Sequence, residues 1–200
     1  MKYLQNTAIW LTALLLFAFS GCNQKPAGEH TFAIGNKTFL LDGKPFVIKA
    51  AEIHYTRIPA EYWEHRIQLC KALGMNTICI YAFWNIHEQK PGEFDFSGQN
   101  DIAAFCRLAQ KYDMYIMLRP GPYVCSEWEM GGLPWWLLKK DDIKLRTNDP
   151  YFLERTKLFM NEIGKQLADL QITKGGNIIM VQVENEYGSY ATDKLSLIHI

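Results

Sequence analysis

Apolar positions along the chain follow two patterns. Nearly continuous apolar runs are typical of strands buried on both faces, and they occupy 46–55, 76–83, 114–121 and 177–185. Between the runs, apolar residues recur at helical spacing in 59–73, in 100–112 and in a long segment from Pro150 that directs Phe152, Phe159, Ile163, Leu167 and Leu170 inward. Four strand and helix repeats predict an α/β fold with a parallel sheet covered by helices.

The segment 31–46, TFAIGNKTFLLDGKPF, precedes these repeats. Its residues alternate between apolar and polar, and Gly-Asn and Asp-Gly provide turn signals. We therefore expect a β-hairpin before the main body.

The position of the polar residues separates two folds that both fit the alternation. No Gly-x-Gly-x-x-Gly or P-loop motif opens a helix, as a nucleotide-binding doubly wound sheet would require. Unusual residues instead follow the carboxyl end of every strand, at Glu52–Tyr55, Tyr81–Glu88, Arg119–Trp128 and Asn185–Tyr187. Strand ends converge on one site in a barrel, so the pattern predicts the first half of a TIM (β/α)8 barrel.

Composition narrows the class of protein. With 200 residues, 48% of them hydrophobic, the chain can bury a sizeable core, and one domain is expected. Lys and Arg together number 21, as do Asp and Glu, and no basic cluster appears, so a nucleic-acid partner is not expected. Aromatic residues make up 14% and gather in loop-like stretches such as EWEMGGLPWW, which suits a ligand with flat apolar faces.

The first 22 residues have the pattern of an export signal. Lys2 is followed by an apolar run from Ala8 to Phe19, which is too short for a comfortable membrane span of roughly 20 residues, and then by Ser-Gly-Cys. We expect a bacterial lipoprotein signal with lipidation at Cys22, and an ordinary signal with an incidental cysteine is the alternative. Residues 23–30 then form a tether, and the protein is exported and anchored to a membrane by its lipid.

The other cysteines show no metal-binding spacing. Cys70 lies on the inward stripe of the first helix with Trp63, Ile67 and Leu73, whereas Cys79 shares a strand face with Tyr81. These two cysteines therefore belong to different layers. We expect buried free thiols at Cys70, Cys79, Cys106 and Cys125.

Four long motifs resemble those of glycoside hydrolase family 35, the retaining β-galactosidases. In chain order they are EIHYTRIP, YAFWNIHEQKPGEFDFSG, LRPGPYVCSEWEMGGLPWWLL and VQVENEYGSY, within a resemblance that runs from about Leu40 to Tyr190. The resemblance implies a TIM-type catalytic barrel followed by β-rich accessory domains, exo-acting release of terminal β-galactose, and no cofactor.

The resemblance also implies the catalytic roles. A retaining glycosidase needs an acid/base carboxyl and a nucleophilic carboxylate, about 5 to 5.5 Å apart. In the motif, Asn185 contacts substrate hydroxyls and Glu186 is the acid/base. Glu184 is expected to be a structural hydrogen-bonding residue, with Arg119 as its candidate partner. The nucleophile is a glutamate on a later strand, beyond residue 200, so the 200 residues alone are expected to be inactive.

Further substrate contacts carry over from the same motifs. Tyr81 and Glu127 correspond to residues that bind galactose hydroxyls, and Cys125 and Ser126 line the same loop through backbone groups. The alternatives without substrate binding are a core role for Tyr81, a solvated charge at Glu127 and packing at Cys125. The loop contains three tryptophans, Trp128, Trp135 and Trp136. At least one is expected to fill space under the loop, and the others are candidates for stacking on a sugar ring. Buried hydrogen-bonding roles are favoured over metal ligation for His54 and His87.

The end of the chain departs from the family pattern. Residues 195–200, LSLIHI, match no family motif, and we expect 191–200 to be a truncated tail, with a non-native origin of its last residues left open. Two other functions stay open from the residues. One is a different exo-β-glycosidase of the same barrel clan, such as a β-glucosaminidase, and the other is an inactive glycan-binding lipoprotein. The sequence leaves the oligomeric state open.

Overall fold

A computed structural model describes residues 28–190, and these residues contain two sheets. The smaller sheet is antiparallel and consists of β1 (Phe32–Ile34), β2 (Phe39–Leu41) and β3 (Lys44–Phe46). The larger sheet consists of β4 (Ala50–Glu52), β5 (Thr77–Tyr81), β6 (Tyr115–Gly121) and β7 (Ile178–Val183). Its strands lie in chain order and all are parallel, which confirms the predicted α/β sheet.

Helices connect the parallel strands. The α-helices are α1 (Trp63–Ala72), α2 (Trp84–His87), α3 (Ile102–Lys111), α4 (Pro150–Leu167) and α5 (Tyr187–Tyr190). Short 3₁₀ turns cover Tyr55–Arg57, Ala60–Tyr62, Gly98–Asn100, Glu129–Gly132, Trp135–Lys139, Ala168–Leu170 and Ile172–Lys174. Helices α3 and α4 begin with aspartate caps, since Asp101 accepts from the Ala104 N–H and Asp149 from the Phe152 N–H.

The core lies between the parallel sheet and α1, α3 and α4. Ile78 of β5 pairs with Ile116 of β6, which in turn pairs with Ile178 of β7, and all three are buried. The predicted inward residues of α4 and of the 3₁₀ turn after it are buried as well: Phe152, Phe159, Ile163, Leu167 and Leu170. The strands are rich in apolar residues because helices cover the sheet and bury the strand side chains that face them.

Two local predictions need correction. The expected hairpin is a three-stranded meander because both turn signals reverse the chain, the second at Asp42 and Gly43, which both have positive φ. Leu73 does not join the inward stripe of α1: the helix ends one residue earlier, and Leu73 is 76% exposed.

The cysteines differ from expectation in burial. The described residues contain no disulfide, and Cys70, Cys79, Cys106 and Cys125 are all free thiols. Cys106 alone among these four is fully buried, because it faces the core from α3, while the other three are partly exposed. Burial raises the pKa of the Cys106 thiol to about 12, so this thiol is inert at neutral pH.

The sheet of the described residues is open, with β4 and β7 at its two edges. Four parallel strands with their helices form part of an α/β barrel, and parallel alignment brings all four carboxyl ends to one edge. Residues 181–183 of β7 are exposed there.

Part of the predicted domain plan lies outside the described residues. The expected signal, including Cys22, most of the tether and the tail from 191 to 200 are not described. His30, at the end of the expected tether, donates its N–H to the Ile172 carbonyl at 3.1 Å. Across residues 28–190, no helix is long and apolar enough to cross a membrane.

Candidate active site

A row of hydrogen bonds crosses the carboxyl edge of the parallel sheet. The Tyr81 hydroxyl at the end of β5 donates to Glu52 Oε2 at the end of β4, at 2.7 Å. Arg119 of β6 donates from Nη1 to the Tyr81 oxygen and from Nη2 to Asn185 Oδ1 after β7. One guanidinium therefore links two residues that the sequence predicted to bind substrate, Tyr81 and Asn185.

Burial and a hydrogen bond determine the protonation state of Tyr81 in this row. Burial, followed by the hydrogen bond to Glu52, raises the pKa of Tyr81 to about 12. Tyr81 therefore remains a neutral phenol at physiological pH. The Arg119 guanidinium also lies 4.4 Å from the centre of the Tyr81 ring. Since Oδ1 of Asn185 accepts from Arg119, its Nδ2 amino group is left to donate to a ligand.

The loop after β6 adopts an unusual backbone. Three consecutive residues, Cys125, Ser126 and Glu127, have φ of 61°, 59° and 44°, in the left-handed region that non-glycine residues seldom occupy. Arg57 holds the loop by donating from Nη2 to the Ser126 and Glu127 carbonyls at 3.0 and 2.8 Å. It also lies over the Trp128 ring at 4.7 Å. Strain of this kind concentrates at functional sites.

Glu184, Asn185 and Glu186 form a turn after β7. The expected pairing of Glu184 with Arg119 is wrong: Arg119 bonds to Tyr81 and Asn185. Glu184 instead pairs with Arg146, whose Nη2 donates to Glu184 Oε2 at 2.6 Å.

Glu186 is exposed, and its backbone carbonyl accepts from the Ser189 N–H at 2.9 Å. Burial raises the pKa of Tyr123, with smaller contributions from Cys125 and from the Glu186 charge. The Glu127 residue is exposed and Ser126 is buried.

The histidines have different surroundings. His87 is buried, and its Nε2 and Nδ1 lie 2.6 Å from the Tyr55 hydroxyl and 2.9 Å from the Asp95 carbonyl, which confirms a hydrogen-bonding role. His54 is partly exposed between Glu52 and Arg57. No group of three or more metal-ligating side chains occurs within the described part of the chain.

The tryptophans also divide. Trp136 is buried against Trp84 and donates to the Glu88 carbonyl at 2.8 Å, which confirms that one of them fills space. Trp135 is 55% exposed. It lines a cleft of about 720 Å³ whose other walls include Asn85, Gln89, Lys90, Trp128 and Glu129. The cleft meets the site at Arg57 and Glu127.

Sequence reasoning missed Arg57 and Arg146 as organising residues. Arg57 lies within the motif EIHYTRIP, so its place among strand-end residues offered a signal. Arg146 lies in the segment between β6 and α4, where no periodicity or motif marks it. Its partners come from distant residues, which a single sequence does not reveal.

The fold and site define a class: a partial α/β barrel with polar residues gathered at the carboxyl ends of its strands, as in barrel enzymes. A similar fold occurs in GH5_18 from Streptomyces cattleya, solved with GlcNAc, with a TM-score of 0.58 and 14% identity over 74% of this chain and 36% of that one.

The sequence signature of glycosyl hydrolases family 35 matches residues 38–198, and the chain belongs to this family. It is 45% identical over 190 residues to a beta-galactosidase of Xanthomonas manihotis, covering 95% of this chain and 32% of the relative. It is 42% identical over 186 residues to a beta-galactosidase of Canis lupus familiaris, covering 92% of this chain and 28% of the relative. The chain thus spans about a third or less of the length of these relatives.

Proposed function

We propose that the protein is a retaining exo-β-galactosidase that removes terminal non-reducing β-D-galactose from oligosaccharides or polysaccharides. Family membership, with sequence identity above 40% to two β-galactosidases, is the observation that carries the proposal. The row from Glu52 to Asn185 supports it, because it gathers polar groups beside Glu186 at the carboxyl edge of the sheet.

The reaction proceeds by double displacement. Glu186 donates its proton to the glycosidic oxygen as the bond to the anomeric carbon breaks, and a second glutamate attacks that carbon to form a glycosyl-enzyme. Glu186 then takes a proton from water, and the resulting hydroxide displaces the enzyme carboxylate. We place the nucleophile on a strand outside residues 1–200, following the family pattern.

Asn185 binds the sugar 2-hydroxyl through Nδ2. Its Oδ1 accepts from Arg119, which orients the amide with Nδ2 free to donate. An amide carries no charge, so it adds no electrostatic repulsion to the two catalytic carboxylates. Hydrogen bonds to the 2-hydroxyl strengthen in the oxocarbenium-like transition state.

Tyr81 and Glu127 recognise the other galactose hydroxyls, and the loop backbone of Cys125 and Ser126 completes the wall. An ionised carboxylate at Glu127 can accept from two hydroxyls, which discriminates between sugar epimers. Arg57 fixes the peptide carbonyls on either side of the Glu127 Cα, so the loop presents Glu127 in a defined direction.

The rest of the glycan extends into the cleft beside Trp135. The cleft is continuous with the site through Glu127 and Trp128, and it combines an exposed indole with amide and charged side chains. Aromatic faces and a few polar groups suit a sugar ring. Its mixture of basic and acidic residues favours a neutral glycan over a sulfated one.

Cys22 carries the lipid that anchors the exported protein to a bacterial membrane, on the periplasmic side or at the cell surface. Support comes from the short apolar run and the Ser-Gly-Cys sequence.

A substrate panel tests the activity. The complete gene product is assayed with nitrophenyl β-galactoside, β-glucoside and β-glucosaminide. We expect turnover of the galactoside above the other two. Preference for the glucosaminide would favour the other glycosidase, and turnover of none would favour a glycan-binding protein.

A further inference from the structure

The turn that carries Glu186 has a strained backbone. Glu184 and Glu186 have φ of 64° and 49°, with Asn185 between them. A non-glycine residue with this backbone conformation is strained, and the conformation persists only where the surroundings hold it. The groups that hold the turn therefore determine where the Glu186 side chain begins.

Arg146 supplies two of these contacts from one guanidinium nitrogen. Nη2 donates to Glu184 Oε2 and to the Asn185 carbonyl, both at 2.6 Å, and Nε adds a bond to Glu184 Oε2 at 3.1 Å. The Asn185 carbonyl belongs to the peptide that joins Asn185 to Glu186. Fixing the plane of this peptide fixes the direction in which the Glu186 Cα–Cβ bond leaves the backbone.

Arg146 is itself held in place. Its side chain is 6% exposed and that of Glu184 is 10% exposed. The guanidinium lies 3.9 Å from the centre of the Tyr123 ring and 4.1 Å from that of Tyr190. The Tyr187 hydroxyl donates to the Arg146 carbonyl at 2.9 Å, which ties the residue just after the turn to the same arginine.

We propose that Arg146 is the positioning residue for Glu186. It binds the carbonyl of the peptide before Glu186 and also pairs with Glu184, at the start of the same turn. This inference rests on the proposed function, in which Glu186 is the acid/base. Arg146 holds the peptide from which Glu186 leaves, whereas the Asn185 side chain keeps its own partner in Arg119. Loss of Arg146 therefore affects proton donation to the leaving group more than substrate binding. A planar fork suits this role and a lysine cannot reproduce it.

The leaving group provides the test, using Arg146→Lys in the complete gene product. A poor leaving group such as the glucose of lactose needs the acid, whereas dinitrophenolate departs without it. We expect kcat/KM to fall roughly tenfold or more on lactose and less than about threefold on dinitrophenyl β-galactoside, because a displaced acid weakens only proton transfer.

Arg155→Lys is the matched control. Arg155 forms a comparable ion pair with Glu88, whose side chain is fully buried, but it does not contact the turn. We expect this variant to leave the ratio of the two kcat/KM values unchanged even if it lowers the melting temperature. An equal loss on both substrates in Arg146→Lys, or the same change of ratio in Arg155→Lys, would overturn the proposal.

A second variant covers the case in which Arg146→Lys does not fold. Glu184→Gln removes the carboxylate but leaves Arg146 its bond to the Asn185 carbonyl, and we expect a change of ratio in the same direction. An unchanged ratio in folded Glu184→Gln would then count against the proposal. Inactivity of the unsubstituted protein on every β-galactoside would instead refute the proposed function itself.

Discussion

At the scale of single residues, the burial of His87 makes the stability of the fold depend on pH. Its pKa is lowered from 6.5 to about 4, chiefly by burial, with the hydrogen bond to Asp95 acting in the opposite direction. The unfolded chain therefore binds a proton that the folded protein excludes. The contribution of His87 to the free energy of unfolding is therefore at its maximum above about pH 6.5, and it is lost as the pH falls towards 4.

His87→Gln should therefore weaken the dependence of stability on acid. We expect the unsubstituted protein to lose about 2 kcal/mol of unfolding free energy between pH 7 and pH 5 through this group, as a pKa unit corresponds to about 1.4 kcal/mol. Urea unfolding at both pH values measures the difference. The exposed His65→Gln serves as the control, and equal pH dependence in all three proteins would contradict the assignment.

Individual site residues were predictable where they followed strands. Tyr81 and Asn185 lie near the carboxyl ends of apolar runs, so the strand pattern alone placed them at one edge. Arg146 could not be placed in this way, because its position depends on how the segment after β6 folds back onto the turn after β7. The choice of Arg119 for Glu184 failed for a related reason: both arginines carry the same charge, and only geometry distinguishes them.

At the scale of elements, the loop after β6 supports the turn after β7 through Tyr123. A Cβ atom at Gly131 would lie 2.0 Å from the Tyr123 ring, which in turn packs on Arg146. Gly131 also has φ of +59°. Close approach and conformation both require glycine at this position.

Gly131→Ala should therefore impair both stability and activity. Gly98→Ala is the control, because Gly98 has φ of +53° but no atom within 4 Å of a Cβ placed there. We expect about 1 kcal/mol of destabilisation from the left-handed conformation in both variants, and a further loss together with reduced kcat/KM only in Gly131→Ala. Equal effects on melting temperature and activity would contradict this role of the loop.

The cleft beside the site gives a second test at this scale. Trp135→Ala should raise KM about 3- to 10-fold for galactosylated oligosaccharides, since an aromatic stacking contact contributes about 0.5–1.5 kcal/mol. Nitrophenyl β-galactoside, which does not extend along the cleft, should be unaffected. Leu138→Ala is the matched control from the same 3₁₀ turn, with Leu138 54% exposed and outside the cleft lining. Equal KM changes for long and short substrates would rule out the cleft.

The elements themselves were largely predictable. Central strands such as β5, in which most residues are buried, give strong apolar runs, and the caps and periodicity of α3 and α4 mark their helices. The ends were harder to predict: α1 stops at Ala72, which exposes Leu73, and the first segment has a third strand because two turn signals lie close together.

At the scale of the whole molecule, the proposed lipid anchor at Cys22 predicts where the protein is found. Cys22→Ser should move the protein from the membrane pellet to the soluble fraction, because stable attachment by acyl chains requires the lipidated residue. Fractionation with immunodetection measures this. Unchanged retention in the pellet would argue against lipidation at Cys22.

The central claim is that Glu186 is the acid/base of a retaining mechanism, and azide rescue tests it most directly. Glu186→Ala of the complete gene product is assayed on dinitrophenyl β-galactoside, whose leaving group needs no acid, so that the slow step becomes attack on the glycosyl-enzyme. Azide needs no general base and should accelerate turnover. The account predicts β-galactosyl azide as the product, because a second displacement restores the starting configuration. The α-azide would instead identify Glu186 as the nucleophile, and an absence of rescue with full residual activity would show that Glu186 takes no part in catalysis.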